Sequence, residues 1–257
     1  MEPELIKFVL TIAYDGTPYA GWQIQKVGLG VQQLVEEALA KLFPSAPRVH
    51  SSSRTDTGVH AIGMVVHVEI PKTELRLPDP RLMLAINAFL PLTIRVMSAK
   101  RCSASFHARF NATGKQYRYY IWNAPAMNPL LVQRAWHIPK ALDIDSMSRA
   151  AQKVIGKHDF KSFAGTRSYE MDSTVRTVQK MAIKKEDRLI TVIIEGDGFL
   201  YKMCRGLVGT LVQVGSGKLD KDSLSTILEA RDRTAAGMTA PAHGLVLWKV
   251  FYRKGKS

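Results

Sequence analysis

Phe8, Leu10, Ile12 and Tyr14 alternate near the start of the chain, and the run stops at Asp15-Gly16-Thr17-Pro18. Alternation with a period of two marks a strand with one buried face, and a Gly/Pro cluster behind it marks a turn. Val31, Leu34, Val35, Ala38, Leu39 and Leu42 then recur at helical spacing until Pro44 stops the helix. That change of period predicts an α+β chain.

The same reading gives strands at 48–52, 64–70 and 94–99 and a helix at 81–89, a β-α-β-β-α-β order. Beyond residue 105 it gives strands at 106–111, 116–122 and 135–138, then a helix at 144–155. Strands at 174–184 and 189–196 follow, then a glycine-punctuated apolar helix at 201–214, a helix at 221–230 and a last strand at 245–251. The expectation is two similar α/β-sandwich domains, 1–105 and 106–257, with antiparallel or mixed sheets meeting at a central basic cleft. The loop at 19–23 is expected to expose its aromatic residues. No Gly/Ser-rich or Pro-rich linker separates the halves, so close packing is expected.

The 257 residues are 46% hydrophobic and 23% charged, the composition of a soluble globular chain. No apolar run approaches the roughly 20 residues of a membrane helix, and Met1-Glu2-Pro3-Glu4 lacks a signal-peptide pattern, so a cytoplasmic protein is expected. Cys102 and Cys204 have no CxxC spacing and are read as free thiols. The histidines are scattered. His60 and His67, the nearest pair, fall on opposite faces of a strand, so no metal site is expected. The net charge is +14, and it is uneven: 11 basic against 9 acidic residues in 1–105 (+2), 25 against 13 in 106–257 (+12). Such an excess points to a polyanionic partner, with most phosphate contacts in the second half.

The stretch 51–61, Ser-Ser-Ser-Arg-Thr-Asp-Thr-Gly-Val-His-Ala, puts a carboxylate, a cation and a turn glycine together. An ordinary turn with an exposed Arg54–Asp56 ion pair is one reading. Asp56-Thr57-Gly58 is also the triplet of aspartic proteases, in which two carboxylates share a proton. Here Ser53, Arg54 and Thr55 precede it rather than an apolar strand end, and a cation so close favours an ionised nucleophile over a proton-sharing dyad.

Arg54-Thr55-Asp56-Thr57-Gly58-Val59-His60 resembles the core motif of the TruA family of tRNA pseudouridine synthases. Tyr14-Asp15-Gly16, Gly21-Trp22-Gln23, Phe106-His107-Ala108-Arg109-Phe110, Lys115 to Tyr119, Phe199 through Met203 to Arg205, and Gly244-Leu245 follow the family order across essentially the whole chain. Ser53 and Thr57 depart from it, standing where glycine and alanine are common.

The resemblance implies a cofactor-free isomerase. It makes uridines 38, 39 and 40 of the tRNA anticodon stem-loop the substrates, and a homodimer the working form. Asp56 is then the nucleophile that helps detach uracil so that the base rejoins ribose through carbon 5. Arg54 guides the flipped nucleotide, Tyr117 packs against the target base, and Leu245 forms an apolar wall beside it. Arg205 lies in an apolar run, where a cation needs an anionic partner, and the resemblance names Asp56. Lys115, Arg118, Arg167 and Lys202 are candidates for phosphate contacts. His60 and His107 are read as structural or RNA-contacting residues. A catalytically silent tRNA-binding or chaperone protein on the same fold is the competing reading.

Overall fold

The alternation at the start of the chain becomes the spine of a sheet in the computed structural model, which describes residues 3–165 and 173–253. Strand β1 (Leu5–Tyr14) pairs antiparallel with β3 (His60–Pro71) and β4 (Ile94–Arg101), and β2 (Val49–Ser51) pairs with the other edge of β3. The register sets Phe8 opposite Val68, Leu10 opposite Val66 and Ile12 opposite Met64. All six are fully buried. Each such side chain contributes about 1.5–3 kcal/mol on leaving water.

Helices α1 (Val31–Ala40) and α2 (Asp79–Ala88) bury Val31, Val35, Ala38 and Leu39, and Leu82 and Ile86. They pack on one another and on β2 and β4. Pro78 and Pro80 flank the first residue of α2, where missing N–H groups cost the helix nothing. The chain divides into two compact units, Met1–Thr113 with Leu247–Ser257, and Gly114–Val246.

The second unit holds most of β5 (Ala112–Trp122), with β6 (Trp136–His137) parallel to it. Strands β7 (Gly156–Asp159), β8 (Val175–Glu186) and β9 (Leu189–Gly196) complete an antiparallel order β5-β9-β8-β7. Helices α3 (Ile144–Gln152), α4 (Met203–Gly215) and α5 (Ser223–Ala230) come from this unit, and β10 (Leu245–Tyr252) closes the chain. Helix α4 is buried nearly all round. Its glycines make that possible: a Cβ on Gly209 would lie 1.8 Å from the Met238 carbonyl oxygen, and one on Gly215 2.6 Å from Met147 Sδ.

The expected strand at 106–111 is a turn instead. The Asn111 carboxamide accepts from the His107 N–H at 2.6 Å, and His107 Nδ1 accepts from the N–H groups of Arg109 and Phe110. These local bonds satisfy the backbone that a strand would have offered to a neighbour. The strand β7 was not foreseen, its four residues being too short and polar to show a period. No helix among the described residues is long and apolar enough to cross a membrane.

Candidate active site

The loop 52–59 is held from beneath by residues 14–22. The Tyr14 hydroxyl and Thr55 Oγ1 share a buried hydrogen bond of 2.7 Å, and the Trp22 N–H donates to the Thr55 carbonyl at 3.1 Å. Burial raises the Tyr14 phenol well above its usual range, so it stays protonated. Backbone packs directly on backbone here. A Cβ on Gly21, whose φ is 95°, would meet the Thr55 carbonyl oxygen at 2.6 Å, and one on Gly16 would meet that of Val59 at 2.1 Å. The Gly16 N–H donates to His60 Nδ1 at 3.0 Å, which ties the turn after β1 to the start of β3.

Tyr19 and Trp22 are 5% and 1% exposed, so the expectation that this loop displays its aromatic residues is corrected. Their apolar surface is the floor on which the polar loop rests. Tyr14, Gly16, Gly21 and Trp22 thus position the loop. The motif blocks contained them, but no local pattern shows which loop they support.

The clamp sorts the loop residues by exposure. Ser52, Ser53, Thr55 and Val59 are buried, Arg54 and Thr57 are exposed, and Asp56 is half-buried between them. The Val59 N–H donates to the Asp56 carbonyl at 3.1 Å and closes a turn whose Gly58 has a φ of 76°. A carboxylate on a fixed backbone, part in and part out of solvent, suits a nucleophile that must meet a large substrate. Ser53 Oγ and Trp22 Nε1 are buried polar atoms without a hydrogen-bond partner among the described residues.

In the second unit, Lys115, Tyr117 and Tyr119 share one face of β5, and Gln116 and Arg118 the other. Tyr117 is buried and meets Phe199 edge-on at 5.3 Å. Tyr119 is a packing residue: its hydroxyl donates to the Pro241 carbonyl at 2.8 Å, and a Cβ on Gly244 would lie 2.5 Å from its ring. Gly244 leads into Leu245, buried at the start of β10.

Arg205, half-buried on α4, donates from Nε to the Ala240 carbonyl at 2.8 Å, and the Ala240 N–H returns a bond to the Arg205 carbonyl at 3.0 Å. This pair fixes the stem of the guanidinium. Arg118 Nε donates to the Gln116 side chain at 3.1 Å. Lys202 adopts a left-handed conformation, φ 59°, before α4, with Nζ 5.0 Å from the Tyr201 ring. Arg167 lies outside the described residues.

The match to known proteins spans both units. The family described as tRNA pseudouridine synthase matches residues 10–111 and 150–253. The chain belongs to the tRNA pseudouridine synthase family. Its relatives include proteins named tRNA pseudouridine synthase A from Thermoanaerobacter sp. (strain X514), 42% identical over 95% of this chain and 98% of the relative. That of Bacillus pumilus is 43% identical over 96% and 99%. Syntrophotalea carbinolica has one 43% identical over 95% of each chain. Membership makes the chain an isomerase of the α+β pseudouridine synthase class, and the aspartic protease reading of Asp56-Thr57-Gly58 falls away.

The expectation of no metal ligands compared His60 with His67. The fold instead brings His50, His67 and His107 together in the first unit. Their positions along the sequence carry no metal-ligand spacing that would have revealed this.

Proposed function

We propose that this tRNA pseudouridine synthase isomerises uridines 38, 39 and 40 of the anticodon arm, with Asp56 as its nucleophile. The observation that carries the reading is Asp56 itself, half-buried on a loop that Tyr14, Gly21 and Trp22 hold rigid. The carboxylate helps break the bond between uracil N1 and ribose C1′. The base turns, C5 bonds to C1′, and the proton lost from C5 is balanced by one gained at N1. Every atom of the nucleotide is conserved, so side chains that hold, turn and release the base are sufficient.

In this reading exposed Arg54 guides the flipped nucleotide, Tyr117 packs on the base, Leu245 walls it, and Arg205 pairs with Asp56 to orient one oxygen. Lys115, Arg118, Arg167 and Lys202 contact phosphates. The enzyme works in the cytoplasm as a homodimer, and recognition rests on the shape and backbone of the RNA. No cofactor enters the scheme.

Mapping pseudouridine in tRNA from cells lacking the gene, complemented with wild type or Asp56→Ala, tests this. Loss at 38–40 restored only by wild type is the expected result. Loss in another arm of the tRNA would overturn the site assignment, and full rescue by Asp56→Ala would favour a silent RNA-binding role.

A further inference from the structure

Three histidines outside the Asp56 loop converge on the first unit. The β2–β3 register sets His50 opposite His67, and their rings stack at 4.9 Å with 16° between planes. The turn before β5 brings His107 edge-on to His67 at 4.6 Å and to 5.9 Å from His50. One ring nitrogen of each lies within 4.8 Å of the others.

That spacing suggests a metal, and the proton positions argue otherwise. His67 Nδ1 accepts from the Ala108 N–H at 3.1 Å, and His107 Nδ1 from the N–H groups of Arg109 and Phe110 at 3.2 and 3.3 Å. A nitrogen that accepts holds the lone pair, so these bonds assign the proton of each neutral ring to Nε2. A divalent cation needs a lone pair from every ligand. Here both lone pairs already serve backbone amides. What the two rings have left are N–H donors, and donors select an oxyanion.

The surrounding groups agree. Lys7 of β1 pairs with Glu69 of β3 at 2.8 Å and donates to the carbonyls of Ala104 and Phe106, so its charge is locally spent. Burial holds the neighbouring Cys102 thiol protonated. Burial, and then the neighbouring histidines and Lys7, push His67 down to about 4, and burial with His50, Lys7 and Arg109 lowers His107. Both are neutral donors near pH 7, and Arg109 is exposed beside them.

Access is graded. His67 is 3% exposed, His107 half-buried and His50 exposed. Phe110 stacks on His107 at 4.2 Å and is itself 73% exposed, with the Arg109 guanidinium 5.6 Å from its ring. An open aromatic face beside a cation and N–H donors fits an unpaired nucleotide.

We propose that His50, His107, Arg109 and Phe110 line a nucleotide subsite for the tRNA, in which His107 Nε2–H and the Arg109 guanidinium donate to a backbone phosphate and Phe110 stacks on the adjoining base. His67 is the positioning residue that fixes the other two rings. The proposal rests on the tRNA reading above and adds a contact in the first unit.

The test compares wild type with His50→Ala, Phe110→Ala and their double variant, both positions being exposed enough to leave cooperative thermal unfolding intact. For the double variant, Kd and KM for tRNA rise on the order of tenfold, while kcat at saturating tRNA stays within about twofold. Arg109→Ala, which removes the cation of the subsite, makes the slope of log Kd against log salt shallower by about one phosphate contact. Imidazole NMR signals of wild type shift on adding an anticodon-arm RNA and stay put in inorganic phosphate alone.

Unchanged Kd, KM and salt slope would overturn the subsite and leave the enzyme assignment standing. Equal shifts with inorganic phosphate would replace RNA by a small anion, and stoichiometric uptake of zinc alone would replace it by a metal. Failure of wild type to modify any tRNA would instead sink the proposed function itself.

Discussion

Among the described residues the first unit buries Ser52, Ser53, Thr55, His60 and His67, whereas the second buries only Ser162 and Thr210 of that polar kind. The two in the second unit are ordinary: Ser162 Oγ donates to the Ile227 carbonyl and Thr210 Oγ1 to that of Gly206. Three of those in the first unit hold other groups. Thr55 meets Tyr14, His60 takes the Gly16 N–H, and His67 takes that of Ala108. The first unit accepts buried polar groups to fix a loop, and the second spends its interior on packing around α4. Substitutions in one should therefore cost activity, and in the other stability.

The largest expected separation comes from Asp56→Ala. It lowers single-turnover pseudouridine formation at least about a thousandfold with little change in melting temperature. A large loss of stability would break the contrast. Gly209→Ala is its mirror. With the Met238 carbonyl oxygen 1.8 Å from the new methyl group, α4 must shift, at about 3 kcal/mol or more in urea unfolding.

His67 sharpens the cost of polar burial in the first unit. Its folded value of about 4 lies below the roughly 6.5 of an unfolded histidine, so the unfolded chain binds the proton more readily. Its contribution is complete above pH 6.5 and is lost as pH falls toward 4, by about 3 kcal/mol in total. Urea unfolding at pH 4.5 and 7 should show this fall, and His67→Gln should flatten it.

Tyr14→Phe removes the hydroxyl from Thr55. It should cost about 1–2 kcal/mol in stability and slow catalysis several-fold as the Asp56 loop loosens. The smallest effect is a gain. Ser53 Oγ is buried without a partner among the described residues, so Ser53→Ala should stabilise by about 1 kcal/mol, read as a small rise in melting temperature.

Much of the fold was legible because it is periodic. The alternation at 8–14 and the helical spacing at 31–42 became β1 and α1, and the glycine-punctuated apolar run became α4. The turn at 106–111 misled because its apolar and aromatic residues read as a strand, while the bonds that fold it involve His107 and Asn111. The loop that carries Asp56 was legible from its motif. The burial of Tyr19 and Trp22 was not, since an aromatic residue in a loop looks the same whether it faces solvent or supports a second loop.

The sequence by itself determined the α+β class, the excess of positive charge and the residues of the Asp56 motif, because these depend on neighbours a few positions apart. Tertiary structure alone decided that Tyr14 and Trp22 clamp Thr55, and that His50, His67 and His107 meet, with Nδ1 of His67 and of His107 each accepting from a backbone N–H. Strand register and chain return create those contacts. A histidine becomes a donor or a ligand only when a distant backbone N–H has claimed one of its nitrogens.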